Sequence, residues 1–209
     1  MRALIASLAL SAALFVAGSG FTDTATADAP NLDFRGTNLL ARAAYRLTSG
    51  TQFLVTAEEG VSHAPQETEY YAVWASISTY VGEDSGLVSV TFLTASAVFD
   101  SPQLQGGLNG ATLDVTLPVT YCVLDSCPTT IHVSLVWDRL GKRTHDYSNV
   151  RRETDSCRLK DIVHTSYSAA AVGGFVSDGT TNLASGETEG TLWGNHYRSV
   201  GIGDPEVCF

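Results

Sequence analysis

The chain is short of positive charge. Twelve lysines and arginines stand against 22 aspartates and glutamates, giving a net charge of −10. That balance disfavours nucleic acid and anionic membrane surfaces as broad partners. Beyond the first 27 residues no apolar run approaches the roughly 20 residues of a membrane helix. The G-x-S-x-G nucleophile elbow, the phosphate-cradling glycine loop and the dinucleotide fingerprint are all missing from residues 28–209. No catalytic residue, metal ligand set or cofactor is therefore assigned. Internal repeats and low-complexity linkers are lacking too, which points to a single domain over 28–209.

What is present begins with a leader. Met1-Arg2 gives a positive start, Ala3 to Ala17 is uncharged and apolar, and Ala25-Thr26-Ala27 is a small-residue cleavage site. Residues 1–27 thus read as a signal peptide, with the mature chain secreted. In an oxidising space Cys122, Cys127, Cys157 and Cys208 are expected to form two disulfides rather than act as reactive thiols. Three pairings are open. Local pairing of Cys122 with Cys127 is favoured and leaves Cys157 for Cys208. The short loop would contribute about 2 kcal/mol and the long one about 4 kcal/mol. One point resists: opposed core residues here are all odd-numbered, and 122 and 127 do not match in parity. A local bridge needs a bulge or a cysteine off the ladder, for which Pro128 is a plausible cause. Zinc, with His132 or His164, is the alternative use of the thiols.

Strand patterns fill the remainder. Ala111, Leu113, Val115, Leu117, Val119 and Tyr121 point one way and Thr112, Asp114, Thr116, Pro118 and Thr120 the other, the period of a half-buried strand. Ile131, Val133, Leu135 and Trp137 repeat it. Pro118, lacking an N–H, favours an edge or a bulge. Further strands are expected over 52–57, 69–81, 87–99, 162–176 and 191–200; residues 38–47 fit helix or strand. Glycine-rich clusters at 82–86, 106–110, 141–142 and 177–179 read as turns. Connections this short exclude crossover helices. The fold class is all-β, an antiparallel sandwich or a meander barrel stapled by disulfides.

Three features could carry function. On the strand from Glu69 to Val81, one face holds Tyr71, Val73, Ala75 and Ile77, an evident core set. The other holds Tyr70, Trp74 and Tyr80 among small residues, with Tyr70 and Trp74 about 13 Å apart. Such rings form a stacking platform for a sugar or other flat ligand, or else mark a strand buried on both sides, which is the commoner case. Trp193, Asn195 and Tyr197 make a weaker second platform. Between Arg139 and Lys160 cations outnumber anions, and Arg143, Arg151 and Arg152 are candidates for polyanion binding; a solvated hairpin is the alternative. His145 and scattered carboxylates are the only material for an extracellular hydrolase. The leading expectation is a secreted, non-catalytic binding or structural module, its ligand a glycan, a protein or a small apolar molecule.

Overall fold

The computed structural model describes residues 31–48, 50–63, 67–83, 86–154 and 156–203, with side chains at these positions except 31, 48, 63 and 80–88. The expected leader, Cys208 and the Tyr80 side chain lie outside that description. Ten strands follow one another: β1 (Asn31–Thr48), β2 (Thr51–His63), β3 (Glu67–Glu83), β4 (Gly86–Phe99), β5 (Leu104–Gly107), β6 (Gly110–Cys122), β7 (Thr130–Glu153), β8 (Cys157–Ser177), β9 (Asn182–Ser185) and β10 (Thr188–Gly203). No helix among the described residues is long and apolar enough to cross a membrane.

Every pairing is antiparallel, and the strand order is β10-β1-β2-β3-β4-β6-β7-β8-β9. Strand β10 also pairs with β8 from Thr188 to Gly203, so the hydrogen-bonded path through eight of the ten strands returns to its start. The short strands β5 and β9 attach to β6 and β8. Residues 38–47 are strand, not helix. Ala41, Ala43 and Tyr45 alternate into the core there, and β1 hydrogen-bonds on both edges.

One inward face collects the apolar residues: Phe53, Val55 and Ala57 of β2, Val73, Ala75 and Ile77 of β3, Leu113 to Leu117 of β6, Ile131 to Trp137 of β7, and Val172 and Leu192 across from them. Thr112, Asp114 and Thr116 face out, the reverse of a lipid-facing strand set. Trp137 is fully buried and donates its indole N–H to the Arg42 carbonyl at 2.9 Å. Opposite it Gly190 leaves the room the indole needs: a Cβ there would lie 2.5 Å from the Arg42 carbonyl and 3.1 Å from Trp137 Cδ1.

Three details depart from simple alternation. The β6 ladder moves from β7 to β4 after Pro118, with a register shift opposite Thr94 and Ala95. This shift reverses the parity, so Cys122 packs against the core while Tyr121, expected inside, is half exposed. Gly141-Lys142 is no turn. β7 runs straight through it with an irregularity between Leu140 and Thr144, and Gly141 takes φ 67°. The hairpin tip falls instead between Glu153 and Cys157. The small-residue run 168–174 marks both a bend and a close sheet contact. Gly174 bends at φ 125° and lies so close to β7 that a Cβ would strike the Ser134 carbonyl.

Cys122 and Cys127 are bonded, with Cα atoms 5.9 Å apart. Cys127 lies in the loop between β6 and β7, off the ladder, which resolves the parity conflict. Cys157 is disulfide-bonded as well, with its partner outside the described residues.

Two outcomes test this frame. Gly190→Ala drives a methyl into Val172, Arg42 and Trp137 and should cost about 1–3 kcal/mol in denaturant unfolding. Replacing Cys122 and Cys127 together by serine should cost about 2 kcal/mol, with the strand signature in circular dichroism retained.

Candidate functional surfaces

The strands outrun the core, and this creates the candidate surfaces. At one end the β5–β6 hairpin closes the interior. Leu104 is buried, Leu108 sits against Gly194 on β10, and the Leu104 N–H donates to Glu59 Oε1 at 2.6 Å. Past this plug, β7, β8, β10, β1 and β2 continue as a sheet with an inner and an outer face.

The outer face gathers the rings. Cross-strand register sets Tyr167, Trp193, Leu40, Glu58 and Ala72 in one row across β8, β10, β1, β2 and β3. The neighbouring row holds Asn195, Asn38, Gly60 and Tyr70. Trp74 stands two residues beyond Ala72, and Tyr197 lies over Gly36, whose missing Cβ leaves space for the phenol ring. Tyr70 is 46% exposed and Tyr167 44%, while Trp74, Trp193 and Tyr197 are half-buried. Polar groups interleave with them, and Asn38 Nδ2 donates to Glu58 Oε1 at 3.0 Å. Thr56, between Trp74 and Arg42, is fully buried on this same face. The two platforms read separately from the sequence are thus one surface. Tyr167 was the member missed, because nothing near it in the chain marks it.

The inner face carries charge and imidazole. His145 opposes Ser166, with Nδ1 and Oγ 2.9 Å apart. Tyr147 opposes His164 at a ring separation of 4.8 Å, and His164 opposes His196 on β10. The Ser166–His145 contact has the reach of a nucleophile and base, but no carboxylate among the described residues orients that imidazole. Asp146 points to the other face and accepts from the Tyr147 N–H. Ser166 and His145 form an exposed polar cross-strand pair. Nor do the described residues hold a cluster of three metal-ligating side chains, and Cys122, Cys127 and Cys157 are in disulfides.

Further along, Arg35 and Arg198 face each other and share Asp33. Their hydrogen bonds, led by that from Arg35, hold the Asp33 carboxyl far below the usual carboxylate range. The three arginines expected to bind polyanions part company. Arg143 donates to Asn109 Oδ1 at 2.9 Å. Arg152, on the outer side, is paired with Asp161, whose carboxyl it pushes down and which also accepts from Ser199 Oγ at 2.6 Å. Arg151 alone lies open on the inner face, directly opposite Lys160.

Burial raises the Glu59 carboxyl against the opposing pull of the Leu104 and Gln103 N–H groups. A carboxyl with a raised folded-state pKa holds its proton more tightly folded than unfolded, so ionising it weakens the fold as pH rises. Glu59→Gln keeps the acceptor for Leu104 and removes the charge. Thermal melts from pH 3 to 8 should show the variant more stable than the parent at neutral pH, the gain fading in acid. A gain constant with pH would speak against burial of the charge as its cause.

Comparison with known proteins adds no functional assignment: no protein family matches the chain, nor does any curated protein or solved structure.

Proposed function

We propose that the protein is a secreted, non-catalytic binding module, its closed strand circuit forming a barrel whose outer wall recognises a glycan. The carrying observation is the outer face. Tyr70, Trp74, Tyr167, Trp193 and Tyr197 share one side of strands β3, β2, β1, β10 and β8, spanning about 19 Å at ordinary strand spacing. A sugar ring offers flat C–H faces for such side chains and hydroxyls for groups such as Glu58, Asn38 and Asn195. Their footing on paired strands keeps them in place, which lowers the ordering cost of binding. The Cys122–Cys127 disulfide is compatible with an oxidising compartment.

A glycan array probed with the parent, Trp193→Ala and Tyr70→Ala tests this. Each substitution removes a ring that is only half-buried or exposed and should leave the melting curve close to the parent's. Loss of about tenfold or more in affinity for a bound glycan is expected, about 1.4 kcal/mol. Equal binding by both variants would remove the platform.

A further inference from the structure

The inner face of the same sheet shows how this protein treats opposed positive charges, and where it leaves one pair untreated. Like charges directly across a strand pair destabilise it. Arg35 and Arg198 are such a pair on β1 and β10, and Asp33 bridges them, 2.7 Å from Arg35 Nη2 and 2.8 Å from Arg198 Nη2. At the hairpin end Arg158 opposes Glu153, with Nε and Oε1 2.8 Å apart. Between these compensated sets, Arg151 of β7 and Lys160 of β8 oppose one another. Neither has an ion-pair partner among the described residues. They border an open cleft of about 260 Å³ that Arg152, Glu153, Arg158, Leu159 and Val200 also line. In a chain of net charge −10, carboxylates are the commoner charge, yet the carboxylate that lines this cleft, Glu153, is taken up by Arg158, and among the described residues none pairs with Arg151 or Lys160.

We propose that the Arg151–Lys160 cleft is an anion site that takes a sulfate or phosphate ester group carried on a polysaccharide. Such a tetrahedral group would supply the negative charge that Asp33 supplies to the neighbouring arginines. Arg151 presents a planar fork of donors and Lys160 a compact ammonium, a combination suited to several oxygens on one centre. Arg198 and Arg35 continue the positive strip along the inner face, so a second ester group on the same polymer has a place to lie. Nucleic acid fits less well, because stacking would rest on Tyr147, whose ring is already against His164. The site is on the opposite side of the sheet from the aromatic surface and does not depend on it.

Titration calorimetry on the full mature chain, at low and at moderate salt, provides the test. Its ligands are a sulfated glucan, the unsulfated glucan, inorganic phosphate and single-stranded DNA. The sulfated glucan is expected to bind with an affinity that falls as salt rises, and the unsulfated glucan to lose this component. Lys160→Glu places opposite charges on the two strands, so folding should be maintained or improved while binding drops about tenfold or more. Arg151→Gln should weaken binding without reversing charge. Phosphate binding with the same residue dependence would support a single-oxyanion site. Undiminished binding by Lys160→Glu, binding indifferent to salt, no binding to any anion at low salt, or tighter binding to DNA than to the sulfated glucan would each overturn the proposal.

Discussion

Trp137 is the contact through which distant parts of the chain are held together. Its indole crosses the core from β7 to the strand pair β1–β10, donating to a carbonyl 95 residues away in sequence. A buried indole N–H without an acceptor would cost about 1–3 kcal/mol, so the bond is obligatory as much as attractive. Because side chains alternate with period two, a one-residue slip of β1 or β10 would swap inner and outer residues along the whole strand. The Trp137 bond and the glycine opposite it define one register, and both outer and inner surfaces inherit their composition from that choice.

The interior explains why two chemically different faces exist beyond the core. Within the core the inward positions are almost all apolar, because a polar group there gives up its water; buried Ser168, opposite Leu192, is an exception. The β5–β6 hairpin ends that regime with Leu104 and Leu108. Past it the same parity of residue meets solvent, and the inward positions change to His145, Tyr147, His164, His196, Arg35 and Arg198. On the outer side the change runs the other way: rings and glycines gather where a solvated wall would ordinarily be polar. The bulge near Leu140 preserves the parity of β7 across the junction, so His145 and Tyr147 stay on the Trp137 side.

Much of the strand pattern was legible because alternation is a local property. Residues 111–117 and 131–137 follow it as read. The failures come where one residue resets the phase. A shift beside Thr120 turned Tyr121 outward and Cys122 inward, and Gly141 signalled a turn where the ladder only bulges. The four-residue strands β5 and β9 are too short for periodicity to show. Faces within a strand and the antiparallel pairing of sequence neighbours could be read, but the registers and the contacts of β10 with β1 and β8 could not. Tyr70 and Trp74 were visible as a pair and Trp193 and Tyr197 as another; only the β1 and β2 registers make them neighbours. For the same reason the three inner-face histidines looked scattered, and nothing in the sequence assigned Arg143 to Asn109 or Arg152 to Asp161.

The basic character of the β7–β8 hairpin has a purely structural component, and separating it sharpens what is left over. From Thr144 to Glu153, β7 pairs with β8 alone among the described residues, which leaves its other edge open. Charged side chains on such an edge discourage further strands from adding to it. Lys142, Arg143, Arg151 and Arg152 can all be understood that way. Lys160 cannot. It lies on β8, between β7 and β10, with both edges paired. Arg198 is likewise on a strand bonded on both sides, and there the chain supplies Asp33. A lysine in the middle of a sheet, set against an arginine while the nearby Glu153 is engaged by Arg158, protects no edge and weakens the pairing it belongs to. Its placement makes physical sense if the balancing charge arrives from outside the chain.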